Sequence, residues 1–389
     1  MTQLWPILIL GFVAFVTSFG AHIVAVNLPV YAAQVGAGVA MIGLLIAAYD
    51  AAEVVAKPVF GAIADRRGMK QTMLAGLALF VAASLAYLWV DPRFLILIRF
   101  MQGIGAAALS AVSLALVGAY AVRRRGRAYG IYNGIKGAGY VVSPMIGGAI
   151  VLQSGFSMIF AASAAVGILA FGLSLLLPRP RIEISSSLED DEDGLGLTGL
   201  LGVFKQSSLW PWYVVTVVNM FFVGILFGFL PVRVYDLGYD PLMNGMILTA
   251  VSASYLLVQP LAGMIADRVN PALTIRVGLL LAGICIILIP FAASWLLFVL
   301  AILAGTGVGT VWTNTDSLIS QLAREGKLGA TMGVAGTFKE IGDMLGPLLI
   351  GVVSQAFGLT AGFVTCGLLG LCTLMLIARR NVTSTENAA

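Results

Sequence analysis

Apolar residues run along this chain in stretches of the length, about 20 residues, that an α-helix needs to cross a bilayer core. Short punctuated loops separate twelve such stretches, near residues 5–32, 39–63, 71–90, 94–119, 129–153, 156–177, 208–233, 242–265, 272–292, 295–320, 330–355 and 358–378. The pattern therefore predicts an all-α membrane protein of twelve transmembrane helices. Composition agrees: 60% of the 389 residues are hydrophobic and 10% charged, against roughly 25% charged in a water-soluble domain. The first stretch has no Lys or Arg before it and exceeds a secretory h-region in length, so it reads as a retained helix rather than a signal peptide.

Charge sets the expected orientation, because loops rich in Lys and Arg stay in the cytoplasm. An even number of spans puts both termini on one side. Of the 22 basic residues, sixteen then fall on the terminal side, Arg93 and Arg233 in outer loops, and Lys57, Arg99, Lys136 and Lys339 within spans. Both termini are expected in the cytoplasm. A pI near 9.0 thus reflects a membrane rule and not nucleic-acid binding. The three cysteines, Cys285, Cys366 and Cys372, all lie within predicted helices, which argues for small core residues and against disulfides or a metal cluster.

The longest polar stretch divides the spans six and six. It predicts an N-terminal bundle (1–177), a cytoplasmic linker (178–207) carrying the acidic run Glu189 to Asp193, and a C-terminal bundle (208–389). A short surface helix is expected at Gly194 to Phe204. The halves repeat each other without a gap at an offset of 202 over residues 28–66. Leu28-Pro29-Val30 recurs as Leu230-Pro231-Val232, and Gly36, Met41, Gly43 and Pro58 as Gly238, Met243, Gly245 and Pro260. Gly61, Ala64, Asp65 and Arg66 recur as Gly263, Ala266, Asp267 and Arg268. At an offset of 203, Gly130, Lys136, Gly139, Pro144 and Gly148 recur as Gly333, Lys339, Gly342, Pro347 and Gly351. Two pseudo-symmetric six-helix bundles around a midplane site are the arrangement of secondary transporters.

The loop after the second span, Gly61-Ala-Ile-Ala64-Asp65-Arg66-Arg67-Gly68-Met-Lys70, closely resembles the signature of the major facilitator superfamily at that position. The resemblance covers nearly the whole chain. It implies the major facilitator fold and, for Gly61, Asp65, Arg66, Gly68 and Lys70, a cytoplasmic latch between the halves when the cavity faces outward. Asp267 and Arg268 form its second copy, without the basic end. Arg99 with Gln102, Gly103, Gly105 and Ala106 is similar to the family's second motif, whose embedded Arg is linked to proton transfer; the alternative is an Arg99 that snorkels to the interface, with Gln102 a packing residue. Gly139, Ser143, Pro144, Gly147 and Gly148 resemble the motif of twelve-helix drug-proton antiporters, with Ser143 where the family has Gly. Simple close packing accounts for those residues equally well.

Intramembrane charge is expensive and marks candidate function. Asp50, Glu53 and Lys57 share one face of the second helix. Glu53 and Lys57 are placed to pair, which leaves Asp50 as the expected proton site. The eleventh helix carries Lys339, Glu340 and Asp343, with Lys339 and Asp343 at i, i+4. Lys136 and Lys339 either attract an anionic group or merely neutralise nearby carboxylates. Asp316 lies toward the cytoplasmic end and reads as structural. His22, the single histidine, is either a proton relay or a hydrogen-bonding residue. Proton coupling is therefore expected from Asp50, Glu53, Arg99, Asp343 and His22, and a substrate cavity from Asp50, Lys57, Lys136, Lys339 and Glu340.

No G-x-x-x-x-G-K-[ST] stretch suggests ATP coupling, and no ligand spacing suggests a metal, a cofactor or an enzyme. The leading expectation is proton-coupled export of a small amphiphilic molecule by a monomer in a bacterial inner membrane. Transport of an anionic metabolite or lipid, or a non-transporting sensor, are the alternatives.

Overall fold

The computed structural model describes residues 4–120, 125–178, 206–323 and 328–378. Their helices are α1 (Leu4–Gln34), α2 (Val39–Arg67), α3 (Met69–Ala86), α4 (Leu95–Tyr120), α5 (Arg125–Ser154), α6 (Phe156–Leu175), α7, α8 (Pro241–Arg268), α9 (Pro271–Leu288), α10 (Ser294–Leu322), α11 (Leu328–Phe357) and α12 (Leu359–Ala378). Helix α7 joins Trp210–Gly224 to Leu230–Asp236 through a π-helical turn at Ile225–Phe229. Eleven spans are both long and apolar enough to cross a bilayer. Helix α11 falls outside that criterion. Its 30 residues reach about 45 Å at 1.5 Å per residue, but Lys339, Glu340 and Asp343 interrupt its apolar surface. The expected linker falls almost wholly on residues 179–205, outside the described residues, as does the proposed helix at 194–204.

Local chemistry sets the ends. Asp240 and Asn270 cap α8 and α9 by accepting from the Met243 and Ala272 N–H groups at 2.7 and 2.8 Å, each just ahead of a Pro at the first helical position. Gly68 closes α2 at φ +96°, with its N–H on the Ala64 carbonyl, a conformation that suits glycine. Basic side chains satisfy other orphan carbonyls. Lys70 donates to Leu175 and Leu177 O at the end of α6, and Arg276 to Ile377 O at the end of α12. Arg233, expected in an outer loop, instead lies within α7 and donates to Pro290 O at 2.6 Å.

The helices form two related bundles, α1–α6 and α7–α12. Helix α1 packs on α5 and α6 as α7 packs on α11 and α12, and α4 lies between α2 and α3 as α10 lies between α8 and α9. Small residues bring these neighbours close. A Cβ on Gly105 would stand 2.7 Å from Phe80 N and 2.9 Å from Gly76 O, and one on Gly307 at 2.7 Å from both Ala282 N and Gly278 O. These residues are again 202 apart, which extends the repeat through the third and fourth helices. Large apolar side chains such as Trp89, Leu257, Trp295, Val352 and Met375 point outward, where lipid replaces water. Cys285 and Cys366 are buried, whereas Cys372 is exposed and so departs from the expected core position.

Candidate functional site

The halves meet along two seams, α2 on α11 and α5 on α8, and the repeat residues build both. A Cβ on Gly43 would collide with the Pro347 carbonyl and approach the Gly351 Cα at 3.2 Å. In the other seam, a Cβ on Gly245 would collide with the Pro144 carbonyl, and one on Gly148 with the Pro241 carbonyl. Met145 N donates to Thr249 Oγ1 at 3.1 Å across this seam. Backbone-to-backbone packing therefore seals the face opposite the chain termini. Pro144 withholds an N–H from the Tyr140 carbonyl, and the Ser143 hydroxyl faces that carbonyl at 3.4 Å. Ser143 thereby compensates the proline beside it.

Toward the terminal face the halves separate. Cβ atoms on Gly61, Gly130, Gly134, Gly333 and Gly336 would meet nothing within 4 Å. Arg66 and Arg268 are exposed, and neither makes an ion pair among the described residues. Lys70 is engaged within its own half, on the end of α6. The Asp65 and Asp267 side chains lie outside what is described.

The embedded charges line the space between the halves. Lys57 Nζ stands 2.5 Å from Glu53 Oε2 on its own helix and 2.6 Å from Glu340 Oε1 on α11, so one ammonium ties the two halves. Asp50 lies within electrostatic range of Asp343, Glu53 and Arg99 and forms no ion pair among the described residues. Lys339 does not take its i, i+4 neighbour Asp343. It pairs with Asp316 of α10 at 3.1 Å and sits 4.1 Å from the Trp312 ring centroid. The reason is geometric: Asp343 faces α2, whereas α10 packs directly beside Lys339.

Arg99 does not snorkel. It is 4% exposed, donates to Gln102 Oε1 at 2.8 Å and lies 4.2 Å from the Tyr49 ring centroid. Gln102, expected only to pack, donates onward to Ser84, which bonds Ser163, which donates to Gly20 O. His22 packs edge-on against Tyr140 and Phe227 at 4.3 and 5.7 Å between centroids, with no hydrogen bond among the described residues.

Two cavities open beside these charges. In the first half, Tyr49, Glu53, Ser113, Tyr132, Lys136 and Tyr140 help line an open cleft, the larger of the two. In the second, Thr216, Asn219, Trp312, Thr315, Asp316 and Lys339 line a narrow gap with room for about one water molecule. The tyrosines went unflagged in the sequence, although Tyr132, Lys136 and Tyr140 recur every fourth residue and so share one helix face.

Two pseudo-symmetric halves, sealed on one face and parted on the other around embedded charge, define a membrane transporter. The chain belongs to the Major Facilitator Superfamily, whose model matches residues 10–243 and 213–389. It is similar to the multidrug resistance protein MdtL of Shigella flexneri, 28% identical over 367 residues that cover 92% of each chain. It also resembles the multidrug resistance protein MdtG of Citrobacter koseri, 25% identical over 368 residues, 91% of this chain and 89% of that one. Among solved structures, a mutant of the nucleoside transporter NupG shares the fold with a TM-score of 0.84 at 13% identity, covering 96% of this chain and 99% of that one.

Proposed function

We propose that this protein is a proton-coupled secondary transporter that exports a small amphiphilic molecule by alternating access. The observation that carries this reading is the pair Asp50 and Asp343, set across the α2–α11 contact between the halves. Ionised together, two such carboxylates repel; a proton on either removes the repulsion and changes how closely the halves approach. Both termini face the cytoplasm of a bacterial inner membrane, as the basic loops direct, and the chain works as a monomer. The conformation described is then the inward-open one, ready to release a proton and take up cargo from the cytoplasm. Export is further supported by the drug-resistance names of the similar proteins.

Energised everted vesicles test the reading. Wild-type protein should accumulate amphiphiles when the vesicle lumen is acid, so that protons run outward in exchange for cargo, and Asp50→Asn should reduce that accumulation to the level of empty vesicles while still binding cargo. Equal, gradient-dependent accumulation by the variant would remove Asp50 from the proton path. Binding without gradient-driven movement in the wild type would favour a sensor.

A further inference from the structure

The repeat places Lys136 and Lys339 at equivalent positions, yet the structure treats them differently. Lys339 is neutralised: Asp316 stands 3.1 Å away and the Trp312 ring lies over the ammonium. Lys136 makes no ion pair and no hydrogen bond among the described residues. Its contact is the Tyr140 ring, with the centroid 5.9 Å from Nζ, at the outer limit of a cation–π interaction. A half-buried ammonium in a membrane protein ordinarily holds a partner. Lys136 faces the first-half cavity instead.

The carboxylate sharing that cavity does not remedy this. Glu53 lines the same space and lies within electrostatic range of Lys136, but its contact is with Lys57 at 2.5 Å, which it shares with Glu340, and it forms no ion pair with Lys136. Arg99, which also makes no ion pair among the described residues, is sealed by Gln102 and Tyr49 and does not line the cavity. The remaining walls supply aromatic faces from Tyr49, Tyr132, Tyr140 and Phe80, with the Ser110 and Ser113 hydroxyls between them. Aromatic walls and one unneutralised cation suit a flat apolar body carrying one negative group.

We infer that the first-half cavity is a binding site for a small aromatic or amphiphilic organic anion, with Lys136 as the residue that receives its anionic group. The inference rests on the export reading and narrows its cargo to one charge class. The equivalent cavity of the second half, closed by its internal Lys339–Asp316 pair, is excluded from that role. Only one of the two symmetry-related lysines therefore selects cargo.

The test compares three naphthalene derivatives of matched size bearing a sulfonate, a neutral sulfonamide or a trimethylammonium group. Binding is measured on the full chain in maltoside micelles, and gradient-driven uptake in everted vesicles. The wild type should bind the sulfonate at least about tenfold more tightly than the trimethylammonium compound, as expected when a desolvated charge finds its partner. Lys136→Met should lose that preference while keeping affinity for the neutral compound, which also reports that it has folded. Lys136→Arg should restore the preference, and Lys339→Met should leave it unchanged. Methanesulfonate and phosphatidylglycerol are added as competitors. Failure of both to displace the aromatic sulfonate supports a small amphiphile, and displacement by either overturns it in favour of a bare anion or a lipid headgroup. A preference for the trimethylammonium compound, or a sulfonate preference that survives in Lys136→Met, overturns the inference even if vesicles export the neutral compound. Sulfonate binding that depends on Lys136, without gradient-driven movement of any compound, would instead sustain the site and refute export.

Discussion

Arg99 carries its charge into the first half without an ion pair among the described residues. Its solvation comes from the Gln102 oxygen at 2.8 Å, the Tyr87 hydroxyl and the face of Tyr49. The network beyond, from Gln102 through Ser84 and Ser163 to Gly20 O, joins α4 to α3, α6 and α1. Its links are not equal. A neutral hydrogen bond between membrane helices contributes about 0.6 kcal/mol on average and about 1.7 at most. Stripping a buried ion of its partner costs about 3–5 kcal/mol. Ser84→Ala should therefore lower the thermal midpoint in micelles slightly and Gln102→Leu markedly, although both remove members of one chain; equal shifts would mean that the guanidinium is solvated elsewhere. Of this network, Arg99 and Gln102 share a face by their spacing of three and were readable together. Ser84 and Ser163 were not, because their meeting depends on how far α3 slides along α4 and α6 along α3. That register is set by contacts such as Gly76 with Gly105, not by any periodicity within a single helix.

Among the helices, α2 best illustrates how one element serves two conformations. Near its start, Gly43 has no room for a Cβ because the Pro347 carbonyl occupies the space; near its end, Gly61 has nothing within 4 Å. The same substitution at the two positions should push the transporter in opposite directions. Gly43→Leu wedges the α2–α11 seam and favours opening of the sealed face. Gly61→Leu is accommodated in the present conformation, raises helix propensity by roughly 1 kcal/mol, and obstructs any later approach of the terminal ends. Labelling of Ile46→Cys, whose parent side chain packs on Gly228 inside the seal, by an impermeant maleimide reports the difference. The expected rate rises with Gly43→Leu and falls with Gly61→Leu; the same change in both would separate these glycines from gating. The twelve helices and their repeat were legible because bilayer thickness imposes length and because Pro, Gly, Asp and Arg recur in register. The π-helical turn in α7 was not, since Ile225–Phe229 looks like any apolar stretch. Nor was the partner of Lys339, because i, i+4 spacing offers Asp343 and only the packing of α10 offers Asp316.

For the whole molecule, the two seams are the points on which alternating access turns. Related by the internal repeat, they should open and close together, so that fixing one should fix both. Helix α2 meets α11 closely enough for a covalent test: a Cβ on Gly351 would lie 3.4 Å from the Ala40 Cα, which puts the two positions within the reach of a disulfide. With Cys285, Cys366 and Cys372 replaced by alanine, Ala40→Cys with Gly351→Cys should cross-link on mild oxidation. Transport in everted vesicles should then fall to background and return on reduction. Binding of cargo presented at the terminal face should persist throughout, because the bond fixes a conformation in which the cavity beside Lys136 is already formed. The α5–α8 seam, untouched by the cross-link, supplies the decisive readout. If the halves move as rigid bodies, Thr249→Cys, introduced into the cross-linked protein, should stay unreactive to an impermeant maleimide from the sealed face. If it becomes reactive while the α2–α11 bond is intact, the seams open independently and the rigid-body description gives way to a hinge within the halves.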